Sequence, residues 1–216
     1  MAKLTLAVLI SGRGTNLQAL IDACADEAYP AEIGIVISNQ ADAEGLERAR
    51  SAGIRTLVID HSEFENREAF DNAVSSALDT HEVQLVCLAG FMRLLTRGFV
   101  DRWRDRIINI HPSLLPAFKG LHVHERVIES GVRITGCTVH FIRAEMDEGP
   151  IIAQGAVPVC AEDTPDSLAA RVLEVEHRLY PLAVRLIAEG KARVAGEIVP
   201  YLDLGEAGGP LINPNG

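Results

Sequence analysis

No apolar run in this 216-residue chain approaches the ~18 residues that a membrane-spanning helix requires. The opening MAKLTLAVLISG imitates a secretion signal, with one Lys ahead of an apolar stretch. That stretch is short, lacks a small-x-small cleavage site and runs straight into a glycine-rich turn, so it reads as a first buried strand. Basic residues are also scarce: 20 Lys and Arg stand against 30 Asp and Glu, a formal net charge of −10. This balance argues against nucleic acid and anionic membranes as partners, since both call for a dense basic face. A local phosphate pocket is still permitted. The four cysteines, Cys24, Cys87, Cys137 and Cys160, are widely spaced with no C-x-x-C pair. They read as reduced thiols, and a cytoplasmic location is expected.

What the chain does have is alternation. Leu4–Ile10, Ile33–Ile37, Leu57–Ile59, Leu85–Ala89 and Ile107–Ile110 are short, continuously apolar runs. Helical patterns separate them over Leu17–Cys24, Ala43–Ala52, Glu65–Leu78 and a short stretch around Gly98–Trp103. Continuous apolarity marks parallel strands covered on both faces, and the spacing implies βαβ units. The expected fold class is therefore α/β, a doubly wound, mostly parallel sheet of Rossmann-like kind. Two longer strands, Thr135–Ile142 and Ile151–Val159, precede a long helix over Ser167–Ala188, and Lys191–Leu202 suggests a last small strand pair. With no linker or repeat, 1–216 is read as one domain. Its phosphate-binding half covers about 1–110 and its catalytic half about 111–190, with a flexible tail over 205–216.

Ser11–Asn16, SGRGTN, closes the first strand and opens the first helix. Gly12 and Gly14 allow positive φ and close backbone approach, Thr15 or Asn16 can cap the helix, and the free N–H groups suit a phosphate. Arg13 is either a further phosphate contact or a solvated loop residue. A dinucleotide site fits worse. Leu17 replaces the third glycine of G-x-G-x-x-G, and the second strand ends in Ser38-Asn39 rather than an acid. In INIHPSLLPAFKG, alternation puts Asn109 and His111 on one strand face, ahead of a turn stiffened by Pro112 and Pro116. A carboxamide can hold a developing oxyanion while an imidazole delivers a proton. Asp147, in RAEMDEGP, is the candidate carboxylate for that imidazole, with Glu145 and Glu148 as rivals. His122 and His124 flank Val123 in an apparent polar loop. No Cys or acidic ligand falls at a helpful spacing, so no metal is expected. His140, inside a strand, reads as a satisfied core histidine.

SGRGTNLQALIDA, SNQADAEGLERA, LAGFMRLL, NIHPSLLP, the TVHF run and the DEGPIIAQ run, in unbroken order from about Leu4 to Pro181, resemble the folate-dependent phosphoribosylglycinamide formyltransferase family. The resemblance implies a formyltransferase fold that moves the formyl group of 10-formyltetrahydrofolate onto the glycinamide ribonucleotide amine. His111 would be the general acid, Asp147 its partner, and Asn109 the ligand of the formyl oxygen. Gly14, Thr15 and Asn16 would hold the phosphate, and Glu176 the ribose or glycinamide. Met92, Arg93, Leu94 and Leu95 would carry the folate. Arg143, Ala144, Glu145, Met146 and Asp147 would surround the pterin, with Arg67 at the folate tail. Small-molecule substrates, no metal, and a monomer or homodimer are implied. The family pattern is broken at Cys137-Thr138, where Thr-Ser is more familiar, and at Ala144, often an acid. Methionyl-tRNA formyltransferases and formyltetrahydrofolate deformylases share the NIHPSLLP stretch. The first usually adds a tRNA-binding domain and the second an N-terminal regulatory one, and neither is expected here.

Overall fold

Five of the apolar runs become parallel strands of one sheet: β1 (Leu4–Ile10), β2 (Ala31–Ser38), β3 (Thr56–Val58), β4 (Leu85–Leu88) and β5 (Ile107–His111). The computed structural model describes residues 2–200 and 211–213. Apart from 211–213, the expected flexible tail lies outside the described residues. Two further strands, β6 (Ile134–Phe141) and β7 (Ile151–Pro158), extend the sheet antiparallel, giving the order β3-β2-β1-β4-β5-β6-β7. The order reverses between β1 and β4, the switch point where open α/β sheets leave a crevice.

Helices cover the sheet on both sides: α1 (Thr15–Cys24), α2 (Glu44–Ser51), α3 (Arg67–Thr80), α4 (Arg97–Arg102), α5 (Val123–Ser130) and α6 (Pro165–Ala188). In β1, Leu6, Val8 and Ile10 pack with α1, α2, α5 and α6, whereas Ala7 and Leu9 pack with α3 and α4. The strand is apolar at every buried position because neither face meets water. Two expectations are corrected. The supposed polar loop around Val123 is the two-turn helix α5, whose Val123 and Val127 reach the core. Among the described residues, the last strand pair is a single bridge, Ala195 to Ile198; positions 201 and 202 of the expected pair lie outside them. Among the described residues, no helix is long and apolar enough to cross a membrane.

The helix α6 locks the centre of the sheet. It begins with a capping box, Thr164 and Ser167 exchanging side-chain and backbone bonds, and with Pro165 in its first turn. From its buried face the Tyr180 hydroxyl lies 2.9 Å from Leu88 O and 3.3 Å from Ile108 O, joining the ends of β4 and β5. Tyr180→Phe leaves both carbonyls without that donor. It is expected to lower stability by about 1–2 kcal/mol in urea unfolding with an unchanged slope.

Candidate active site

The glycine-rich loop is built from two directions. Gly14 takes a left-handed conformation, φ 68°, as the N-cap of α1, and no side chain caps the helix. Thr15 and Asn16 are therefore not caps. A Cβ on Gly14 would fall 2.6 Å from Gly45 Cα, so both glycines are needed where α2 meets the loop. Gly45 N donates to Gly12 O at 3.0 Å, and Arg48 Nε donates to Arg13 O at 2.9 Å. With these carbonyls held by α2, the N–H groups at the start of α1 remain available to an anion. Arg13 itself is exposed.

Asn16 turns inward. Its Nδ2 donates to Glu176 Oε2 at 2.7 Å, joining α1 to α6, and its buried Oδ1 has no partner among the described residues. An acceptor in that position suits a ligand hydroxyl or amine. Ser11 links this loop to the next, since its hydroxyl donates to Asn39 Oδ1 and accepts from Met92 N at 2.8 Å. The Met92–Leu95 segment is fixed at its other end by Asp71, which accepts from Thr96 N at 2.7 Å. Met92 and Leu94 are 67% and 55% exposed, and Arg93 stacks over the Phe70 ring. Arg67 is exposed at the start of α3.

Asn109 and His111 share a face of β5, opposite His140 and Thr138 of β6. The turn after β5 is held by Thr138, whose hydroxyl donates to Ser113 O and accepts from Leu115 N. Thr138 thus supplies the hydroxyl that Cys137 cannot. Asp147 comes from the loop that follows β6. β6 runs antiparallel, so its end lies beside the start of β5, with Ile142 N donating to Ile107 O. The turn from 143 to 149 then folds back along β5, because Asp147 Oδ1 lies 3.5 Å from His111 Nδ1. Its other oxygen accepts from Gly120 N at 2.7 Å.

His111 is 5% exposed, and its Nε2 lies 3.0 Å from Phe118 O. A carbonyl only accepts, so Nε2 carries hydrogen. Nδ1 faces the Asp147 carboxylate on the opposite side of the ring. The carboxamide of Asn109 makes no hydrogen bond among the described residues, leaving it available to a substrate oxygen. His140 behaves otherwise. Burial pushes its pKa down to about 4, and its Nδ1 donates to Phe141 O. Its buried Nε2 has no partner among the described residues, so it is neutral but not fully satisfied. The two rings lie on one sheet face, and it is His111 that meets the Asp147 carboxylate.

Arg143 opens the turn that carries Asp147. Its side chain is 8% exposed and held by Asp105 and Glu197, so it does not present a guanidinium to a ligand. Ala144, Glu145 and Met146 are exposed on the same turn, beside Asp147. A groove of about 590 Å³ between α1 and α2, lined by Gln18, Glu44, Glu47 and Arg48, includes none of the trio. Among the described residues, no group of three or more His, Cys, Asp or Glu is placed to hold a metal ion.

Comparison with known proteins matches the family described as formyl transferase over residues 4–184. Phosphoribosylglycinamide formyltransferase of Escherichia coli (strain K12) is 46% identical over 191 residues, covering 88% of this chain and 90% of that protein. The trifunctional purine biosynthetic protein adenosine-3 of Gallus gallus is 53% identical over 198 residues. These are 91% of this chain but 20% of that protein, so the chain spans about a fifth of the trifunctional relative. The crystal structure of glycinamide ribonucleotide transformylase 1 from Symbiobacterium toebii superposes with a TM-score of 0.91 at 50% identity, covering 93% of this chain and 95% of that one.

Burial raises the Glu176 pKa, and the hydrogen bond from Asn16 pulls it partly back. A carboxyl whose folded value lies above its unfolded one contributes most below the ordinary carboxylate range, and that contribution fades as pH rises through the raised value. Glu176→Gln is therefore expected to gain stability over the parent at about pH 8 relative to about pH 4. Denaturation midpoints across that range would contradict this if the difference were flat or reversed.

Proposed function

The chain belongs to the formyl transferase family, and from that premise we propose that its cleft transfers the formyl group of 10-formyltetrahydrofolate to the amine of phosphoribosylglycinamide in purine biosynthesis. One observation carries the reading: the Asp147 turn folds back to meet His111, on the strand face that also presents Asn109. Three segments thereby converge on one acid, its carboxylate and an amide donor.

The α1 end of the SGRGTN loop, with Gly14, Thr15 and Asn16, takes the phosphate through N–H groups and the local helix dipole. Asn16 Oδ1 and Glu176 take the polar groups that follow it along the ribonucleotide. The exposed apolar side chains of Met92, Leu94 and Met146 offer a surface for a flat heterocycle, with backbone groups of 144–147 at its edge. The folate supplies the formyl carbon and leaves as tetrahydrofolate once its bond to N10 breaks. Asn109 donates a hydrogen bond to the formyl oxygen as charge develops there. His111, oriented by Asp147, delivers the proton that the departing nitrogen needs, and regains one from the attacking amine. For the ring to reach substrate, the Phe118 carbonyl gives way as the substrates bind.

Purified protein mixed with 10-formyltetrahydrofolate and the ribonucleotide is expected to show the absorbance change of deformylation only when the amine is present. Turnover with water or charged tRNA instead would point to another member of the family. His111→Ala is expected to lower kcat by at least ~10²-fold, the lower range for losing a general acid. Asn109→Ala is expected to lower it by ~10²–10³-fold with little change in the ribonucleotide KM. Near-normal kcat in either variant removes that residue from the chemistry.

A further inference from the structure

From the contacts around Arg143 we infer that it is a positioning residue: with Asp105 and Glu197 it clamps the base of the turn that carries Asp147, and so sets the carboxylate against His111. The inference rests on the formyl-transfer reading above for its catalytic consequence, though not for its geometry.

The turn is closed tightly at its root. Phe141 N donates to Pro150 O at 2.9 Å, and only glycine fits at 149, where φ is 123° and a Cβ would fall 2.1 Å from Phe141 O and 3.1 Å from Arg143 Cγ. The aliphatic stem of Arg143 therefore packs on Gly149. Its guanidinium meets three acceptors. Nη1 donates to Ile142 O at 3.1 Å, Nε donates to Glu197 Oε2 at 2.9 Å, and Nη2 faces Asp105 Oδ1 at 2.9 Å as a charge contact. Glu197 also takes Arg104 Nη2 on its other oxygen at 3.0 Å, and its pKa is lowered, chiefly by the hydrogen bond from Arg143.

The two anchors come from separate places. Asp105 is in the turn that leads into β5, the strand bearing Asn109 and His111. Glu197 lies in the bridged segment from Ala195 to Ile198, beyond residue 184 where the family match ends. A buried guanidinium that loses one of two carboxylates is left undercompensated, and the easiest remedy is to swing toward water. Doing so lifts the root of the turn from Gly149. Asp147, itself at φ 51°, is then no longer held in that conformation, and both its contact to His111 and its bond from Gly120 N loosen. A misplacement of about 1 Å at a catalytic carboxylate costs up to ~10²-fold in rate.

Glu197 is 63% exposed, so it can be altered without opening the core. In the full chain, Glu197→Ala is expected to lower kcat about tenfold, with the ribonucleotide KM within about twofold, because the phosphate loop is untouched. Glu197→Gln, which keeps the acceptor and loses the charge, is expected to fall between the parent and Glu197→Ala. Amide exchange at Gly120 and across 144–148 is expected to quicken about tenfold in Glu197→Ala, while exchange in β1 and β4 is unchanged. Arg143→Met is expected to show the same pattern more strongly, and Glu197→Ala decides alone if it does not fold. Parent-like kcat together with parent-like exchange at Gly120 overturns the clamp. Exchange that quickens everywhere, with kcat and KM worsening together, also overturns it as mere loosening of the fold. The exchange readout needs no substrate, so a parent protein without formyl transfer sinks the functional reading and still leaves the clamp to be judged.

Discussion

A parallel sheet leaves its strands apolar on both faces, so a polar site can form on a strand only where one face loses its helix. Here that happens at β5 and β6. The crossover into β5 carries only the six-residue α4, and the next strand turns back antiparallel instead of crossing over again. On the side of α3 and α4, Asn109, His111, Thr138 and His140 therefore sit under no helix, and the turn between β6 and β7 covers them. That covering brings Asp147 from the start of β5 to its end. Every other feature of the site is arranged around this reversal of chain direction.

The opposite side of the cleft obeys a backbone constraint. The SGRGTN loop accepts an anion only if its carbonyls face away, and α2 takes them through Gly45 N and Arg48 Nε. Close contact of Gly14 with Gly45 makes this possible. Ser11 then ties the loop to Met92, so the two proposed substrate surfaces are joined by one hydroxyl.

Local features were legible in the chain; long-range pairings were not. β4 and the Leu6–Ile10 part of β1 were readable because burial on both faces writes an unbroken apolar run. The pair Asn109 and His111 was readable because strand alternation is local. α5 was hidden because Val123 and Val127 are its two fully buried anchors among charged neighbours, too short a pattern to separate from a loop. The ion pairs of the Arg143 side chain were hidden for a different reason. Its carboxylate partners come from distant segments, and no periodicity records an ion pair between them. The carboxylate that meets His111 was open among Asp147, Glu145 and Glu148, because sequence does not reveal whether the strand after β5 runs up or down.

The carbonyl of Phe118 on His111 Nε2 bears on how the proposed chemistry would be spared from waste. While that bond stands, the imidazole's hydrogen is committed to the main chain. On the formyl-transfer function proposed above, a one-carbon unit arriving before its acceptor would meet no free acid, and a stray water would gain no help in stripping it off. Restraint toward wasteful hydrolysis would then be a property of the resting backbone, to be released as the substrates bind.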